Sequence, residues 1–184
     1  AHDGAVEGDY SNAAFFQALD ILGGDVCVEG LNPDSLQGDK VCGSMLELLK
    51  NGTPELDISQ CPDLGPVLFA VAASSGRGAV FTGTDRLRIK ESDRLKTTCE
   101  AINKLGGMVA EVDDGLIIQG AGMLNGGKAD GCNDHRIVMA SAVASIISRN
   151  KVTVTDAQAI NKSYPNFFED FKKLGGNVNV INNR

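Results

Sequence analysis

The chain has 184 residues, of which 42% are apolar, and a formal net charge of −7. That length suits one domain or two small ones, large enough to bury a core without a disulfide or metal staple. The acidic balance argues against nucleic acid and against an anionic membrane as partners, no apolar run approaches the ~20 residues that span a bilayer, and no signal-peptide pattern opens the chain.

Taken in chain order, one pattern occurs three times. Residues 5–9 read as a short strand ending on Asp9, followed by an apolar helix over 11–22 and a strand at 26–28. A polar loop over 31–40 leads to an amphipathic helix over 41–50, closed by Gly52. The second passage has a strand at 55–59, Asp63, an apolar helix over 64–74, a strand at 79–81, a loop over 84–91 and an amphipathic helix over 92–105. It continues into two strands, 108–111 and 116–119, around an Asp113-Asp114-Gly115 turn. The third has a strand at 128–130, Asp134, a helix over 135–148, a strand at 152–154, a loop over 156–163, a helix over 165–174 and a last strand at 177–181. Asp9 precedes Gln37 by 28 positions, Asp63 precedes Lys90 by 27, and Asp134 precedes Lys162 by 28. The units run over about 5–53, 54–121 and 127–181 within one domain.

The two helix types differ physically. Those following the aspartates are apolar on nearly every face, the mark of a helix buried all round. The second helices are one-sided: Leu95, Cys99, Ile102 and Leu105 recur at helical spacing, as do Phe167, Phe168, Phe171 and Leu174. Asp and Ser stand ahead of the helices as N-caps, glycines follow as C-caps, and Pro165 sits where a first-turn proline is tolerated. The expected architecture is α/β, with buried helices packed together and small sheets outside. The terminal strand lacks an evident partner, and a strand needs one, so part of the fold is expected to lie outside these residues.

Cations collect at helix starts. Lys90 and Arg94 flank the second amphipathic helix, His135 and Arg136 open the third apolar helix, and Lys162 lies just before Ser163-Tyr164-Pro165. A cation at a helix N-terminus opposes the macrodipole, which makes sense where an anion is bound. Taken singly, each residue has a plainer reading: Lys90-Glu91 and Asp93-Arg94 as solvated surface pairs, Asp63 and Asp134 as caps, His135 as a satisfied core residue, Lys162 as a surface lysine. The recurrence weakens all of these together, because it puts the residues at equivalent corners. The five cysteines form no Cys-x-x-Cys pair, which suits reduced thiols in a cytoplasm. Cys61 and Cys132 each precede an acidic turn, which leaves a nucleophile reading open.

Four segments carry a family resemblance. Arg88-Ile89-Lys90-Glu91-Ser92-Asp93-Arg94 is similar to the Arg-x-Lys-Glu-[Ser/Thr/Cys]-Asp-Arg motif of 5-enolpyruvylshikimate-3-phosphate synthases. Asp134-His135-Arg136-Ile137-Val138-Met139-Ala140 resembles the family's Asp-His-Arg segment, with Val138 where a small residue is commoner. Val6-Glu7-Gly8-Asp9-Tyr10-Ser11-Asn12-Ala13 and Lys162-Ser163-Tyr164-Pro165 resemble two more of its segments, and all four occur in the family's order.

The resemblance implies an inverse α/β barrel-like domain, one of two in the family, built from three βαβαββ units about a pseudo-threefold axis with helices inside and sheets outside. It implies transfer of the enolpyruvyl group of phosphoenolpyruvate to the 5-hydroxyl of 3-phosphoshikimate, a step toward the aromatic amino acids. No metal or organic cofactor is implied. The partners implied are those two substrates and an N-terminal domain absent from this chain, without which the chain is expected to be nearly inactive. Carried over, Asp63 is the base and binds the shikimate hydroxyls, Glu91 is the acid for the methylene carbon, and Lys90 holds proton traffic beside it. Arg94, Arg136 and Lys162 clamp phosphoenolpyruvate, with His135 orienting the clamp. Arg86 stands where many members carry Asn against the phosphoshikimate. Two rivals remain in view: the sister family acting on UDP-N-acetylglucosamine, and a non-catalytic αβ repeat domain that binds anions or a protein.

Overall fold

The computed structural model describes residues 6–181. Helix α1 (Tyr10–Ile21), α3 (Gly65–Ser74) and α5 (His135–Ser145) pack on one another and form the centre of the molecule. Every residue of α3 is buried, as is every residue of α5 from His135 to Ala144. A helix with no polar face has no stable surface position, so these sequences dictate the interior. The amphipathic helices α2 (Cys42–Asn51), α4 (Arg94–Lys104) and α6 (Phe167–Lys173) lay their apolar stripes on that centre. Phe167 of α6 meets Phe15 and Phe16 of α1 at ring-centroid distances of 6.2 and 5.6 Å.

Two small sheets cover the helices. Strands β1 (Glu55–Asp57), β2 (Ala79–Thr82), β3 (Met108–Val112) and β4 (Gly115–Gln119) form one sheet in the order β1-β2-β4-β3. The pair β1–β2 is parallel and the other two are antiparallel. Strands β5 (Gly127–Ala129) and β6 (Val152–Val154) form a second, parallel pair. Each parallel pair brackets a buried helix at the same offset of 25 residues, Glu55 opposite Val80 and Gly127 opposite Val152. Phe81 of β2 packs edge-on against Phe69 of α3 at 4.7 Å. Gly78, with φ +81°, enters β2 where a Cβ would overlap the Ile118 carbonyl, so only glycine lets the two strands approach there.

Several elements differ from those read in the sequence. Among the described residues, 6–9, 26–28 and 177–181 form no ladder, and Ala5 lies outside them. Helix α5 stops at Ser145, because the chain turns there to pair Leu124 with Ser148 in an isolated parallel bridge. Helix α6 starts at Phe167 behind Asn166, leaving Pro165 in the preceding turn. The polar loops are not irregular throughout: 3-10 turns occupy Gly38–Val41, Asp85–Ile89 and Ala157–Lys162.

Phe167 is fully buried and touches five other aromatic rings, those of Phe15, Phe16, Tyr164, Phe168 and Phe171. Phe167→Ala should destabilise the chain by about 3–5 kcal/mol, the usual cost of a large core cavity. Denaturant-induced unfolding followed by circular dichroism measures it.

Candidate functional site

Three buried helices begin at one end of the molecule, and the charged side chains meet there. Asp134 is the N-cap of α5, and its carboxylate accepts the Arg136 amide at 2.9 Å. It is 0% exposed, and a buried carboxylate needs a charged, hydrogen-bonding partner. Arg94, 1% exposed, supplies it through Nε to Oδ2 at 2.8 Å and Nη2 to Oδ1 at 3.3 Å. The Ser92 hydroxyl donates to the same carboxylate at 3.0 Å. Arg94 reaches this position because Asp93 caps α4, accepting the Lys96 amide, so the helix opens on Arg94 itself.

The rest of the Arg94 fork is also used. Nη1 donates to Asp63 Oδ1 at 2.9 Å, and Nη2 also pairs with Glu91. Asp63 accepts from Lys90 Nζ at 2.9 Å and from Arg136 Nη2 at 3.3 Å. Arg136 Nη2 also donates to the Ser11 hydroxyl at 2.8 Å, which brings the start of α1 into the cluster. His135 lies with Nδ1 buried and without a hydrogen-bond partner, 4.0 Å from Glu91 Oε1 and 3.9 Å from Asp134 Oδ1. Arg136 Nε is likewise buried and unpartnered.

The structure therefore brings Asp63, Lys90, Glu91, Arg94, His135 and Arg136 together. Lys162 stands beside them, its ammonium on the carbonyl of Asn133, the residue before Asp134. Gln37 makes the matching contact at α1, donating to the carbonyl of Gly8, the residue before Asp9, at 2.9 Å. Asp63 breaks the pattern. It lies inside the 3-10 turn Pro62–Leu64 and does not cap α3, whose N-cap is Leu64. Its carboxylate is thereby free to take three cations. Arg86 is not drawn in: it is exposed, and its guanidinium donates to the Ser59 carbonyl at 3.2 Å.

The cations are not left open, as their clustering at helix starts led one to expect. Lys90, Arg94 and Arg136 face Asp63, Glu91 and Asp134, three against three. Burial works against the charge of Asp63, but Arg136, Lys90 and Arg94 outweigh it and hold the carboxyl below its ordinary value. Asp134 is likewise held below by Arg94 in spite of its burial. Burial, and then Arg136, pushes His135 below the usual imidazole value, so the ring is neutral near pH 7.

Sequence reasoning missed Ser11, Ser92 and Asp39. Burial, and next the charge of Asp63, pushes Asp39 above the ordinary carboxylate value. The available signal was Gly38, where a Cβ would meet the Gln60 carbonyl: the 3-10 turn carrying Asp39 packs directly against the segment leading to Asp63. Neither Cys61 nor Cys132 is poised as a reactive thiolate. Burial lifts Cys61 to about 11 and also raises Cys132. Among the described residues no cluster of His, Cys, Asp or Glu is arranged to hold a metal ion.

A paired cluster of this kind can do two things. Its donors at helix starts can bind an anion, and its carboxylates and imidazole can hold or pass protons. A family model described as EPSP synthase (3-phosphoshikimate 1-carboxyvinyltransferase) matches residues 1–171. A 3-phosphoshikimate 1-carboxyvinyltransferase of Clostridium acetobutylicum is 43% identical over 94% of this chain and 44% of its own length. One from Clostridium novyi is 42% identical over 96% and 44%. A solved EPSP synthase of Acinetobacter baumannii superposes with a TM-score of 0.79 at 25% identity, over 93% of this chain and 46% of that one. The chain thus spans less than half the length of the relatives it matches.

Arg94→Ala leaves Asp134 buried without its partner and should cost about 3–5 kcal/mol. Arg94→Lys restores charge but not the fork, and should recover only part. Urea unfolding of both variants tests this. Asp39 carries the opposite sign. Its folded-state pKa is raised, so its ionisation works against the fold above the ordinary value of about 3.9. Asp39→Asn should therefore melt above the wild type at pH 7, and the advantage should vanish toward pH 3. Paired thermal melts at the two pH values check both arms.

Proposed function

The chain belongs to the EPSP synthase family, and we propose that it supplies one wall of a site transferring the enolpyruvyl group of phosphoenolpyruvate to the 5-hydroxyl of 3-phosphoshikimate. The observation that carries this reading is the Arg94 hub: one guanidinium joined to Asp63, Glu91 and Asp134 at the N-terminal ends of the buried helices. The family match also goes against the sister family that acts on UDP-N-acetylglucosamine.

In the addition step, the 5-hydroxyl oxygen bonds to C2 of phosphoenolpyruvate while the methylene C3 gains a proton. In the elimination step, C3 loses a proton and the C2–O bond to phosphate breaks. Asp63 is kept ionised by its three cations and accepts the hydrogen of the attacking hydroxyl, with the Lys90 ammonium 2.9 Å away on the same carboxylate. Glu91, whose side chain is 39% exposed, is the group on the open side of the cluster: it takes a proton from solvent, gives that proton to C3 in the addition and receives the C3 proton in the elimination. Neutral His135, next to Arg136 and 4.0 Å from Glu91, orients the clamp. Arg94, Arg136 and Lys162 bind the carboxylate and phosphate of phosphoenolpyruvate, a task for which the planar arginine fork is suited. Arg86 contacts the phosphoshikimate from the rim.

The whole chain is one domain, and the remaining wall comes from an N-terminal domain that the longer relatives have room for. No metal or organic cofactor takes part. A cytoplasmic setting agrees with five free cysteines, of which Cys42, Cys61 and Cys99 are buried, and among the described residues no helix is long and apolar enough to cross a membrane.

Mixed with phosphoenolpyruvate and 3-phosphoshikimate, the chain alone should release almost no phosphate, and adding the N-terminal half in trans should restore release. Glu91→Gln and Asp63→Asn should each lower kcat of the complemented enzyme by about 10²–10⁴. Turnover of about 1 s⁻¹ or faster by the chain alone would sink the half-site. Silence from the complemented wild type would sink the reaction itself.

A further inference from the structure

Among the described residues, three that are not glycine have positive φ: Cys132 at 49°, Asn133 at 50° and Asp156 at 53°. Side chains with a Cβ disfavour that region. The three do not lie at scattered turns. They meet at one place, because the Asn133 amide donates to the Asp156 carboxylate at 3.1 Å.

The turn is tied through several of its backbone groups. The Cys132 amide donates to Asp130 Oδ1 at 3.0 Å, and that oxygen also accepts the Thr155 hydroxyl at 3.0 Å. The Asp134 amide donates to the Gly131 carbonyl at 2.8 Å. The Asn133 carbonyl accepts the Lys162 ammonium. The peptide between Asn133 and Asp134 is thus held from both sides, by Gly131 through its N–H and by Lys162 through its oxygen. The peptide before it is held by Asp156 alone. At α1 the equivalent carbonyl belongs to Gly8, which is not among the positive-φ residues, and it meets the neutral Gln37. The costly backbone occurs only where the carbonyl must hold a cation. Strain kept at one corner and avoided at its counterpart points to a task at that corner.

We infer that Asp156 is a positioning residue. Through the Asn133 amide it fixes the left-handed turn, and the turn aims the Asn133 carbonyl at Lys162. Lys162 is thereby docked next to Asp134 and His135, ready to meet an anionic substrate. This rests on the reading of Lys162 as a phosphoenolpyruvate ligand, but its first readout does not.

Two variants separate positioning from mere stability. Asp156→Gly removes the carboxylate while favouring the left-handed backbone, so it should fold at least as well as the wild type. Asp156→Asn keeps an acceptor oxygen and tolerates the same φ. In the isolated chain, NMR of the Lys162 side chain should show Asp156→Gly moving its signals to those of a free lysine, and Asp156→Asn leaving them in place. Unchanged Lys162 signals in Asp156→Gly would overturn the inference, whether or not the enzyme turns over. In the complemented enzyme, Asp156→Gly should raise KM for phosphoenolpyruvate about tenfold with kcat nearly unchanged, and Asp156→Asn should restore it. An unchanged KM in Asp156→Gly, with the complemented wild type active, would also overturn it. An inactive wild type would instead count against the proposed reaction and leave the NMR result to decide the inference.

Discussion

A guanidinium that is 1% exposed faces a carboxylate that is 0% exposed, and the rest of the site follows from that pair. Neither Arg94 nor Asp134 could be buried alone, since an isolated ion in the interior costs several kcal/mol. Asp134 fills its remaining acceptor capacity with the Arg136 amide and the Ser92 hydroxyl. Arg94 fills its remaining donors with Asp63 and Glu91. A buried ion pair is a weak net stabiliser against a well-packed apolar alternative. Its effect here is registration: it fixes the first turn of α4 against the first turn of α5 and against the 3-10 turn ahead of α3. The arrangement of the cluster is therefore set by the same contact that joins the helices.

That contact divides the acidic groups around it. Asp63 and Asp134 sit among cations and stay ionised, whereas Asp39 shares Asp63's neighbourhood, forms no ion pair among the described residues and keeps its proton more readily. Carboxyls of one chemical type, a few residues from the same cluster, thus have pKa values pushed in opposite directions. Neutral His135, unpaired at Nδ1 between Glu91 and Asp134, adds a group that can take up a hydrogen bond when the cluster changes its protonation.

The sequence made the central helices legible because their apolar faces leave no choice of environment. The recurring spacings also survive as contacts: Lys90 on Asp63 itself, and Gln37 and Lys162 on the carbonyls of Gly8 and Asn133, the residues just before Asp9 and Asp134. What stayed hidden depends on partners distant in the chain. Residues 26–28 have the composition of a strand, but a ladder needs a neighbour that composition cannot supply. Cations before a helix looked open, because their carboxylates arrive from other segments: Arg94 meets Asp63 and Asp134 across 31 and 40 positions. Asp39 was overlooked for the same reason: the one local trace of its place is Gly38, whose close approach to Gln60 brings the turn near Asp63. Pro165 was misread locally: a first-turn proline and a proline just ahead of the helix look alike until the Asn166–Asp170 bond is seen to open α6.

The three corners share a plan and differ in charge, and the difference follows from their backbones. At α1 an unstrained Gly8 carbonyl meets a neutral amide. At α5 a left-handed turn presents the carbonyl to an ammonium. At α3 the aspartate leaves its capping position, and its carboxylate replaces the carbonyl as the acceptor. A strictly threefold arrangement would present three equal charges to an asymmetric ligand. Moving one carboxylate by a single 3-10 turn, and distorting one loop, is enough to set an amide on the carbonyl at one corner, an ammonium on the carbonyl at the next, and an ammonium on a carboxylate at the third. The buried helices are indifferent to this change, because it is confined to the residues ahead of their first turns. That separation lets a symmetric core carry a chemically asymmetric surface.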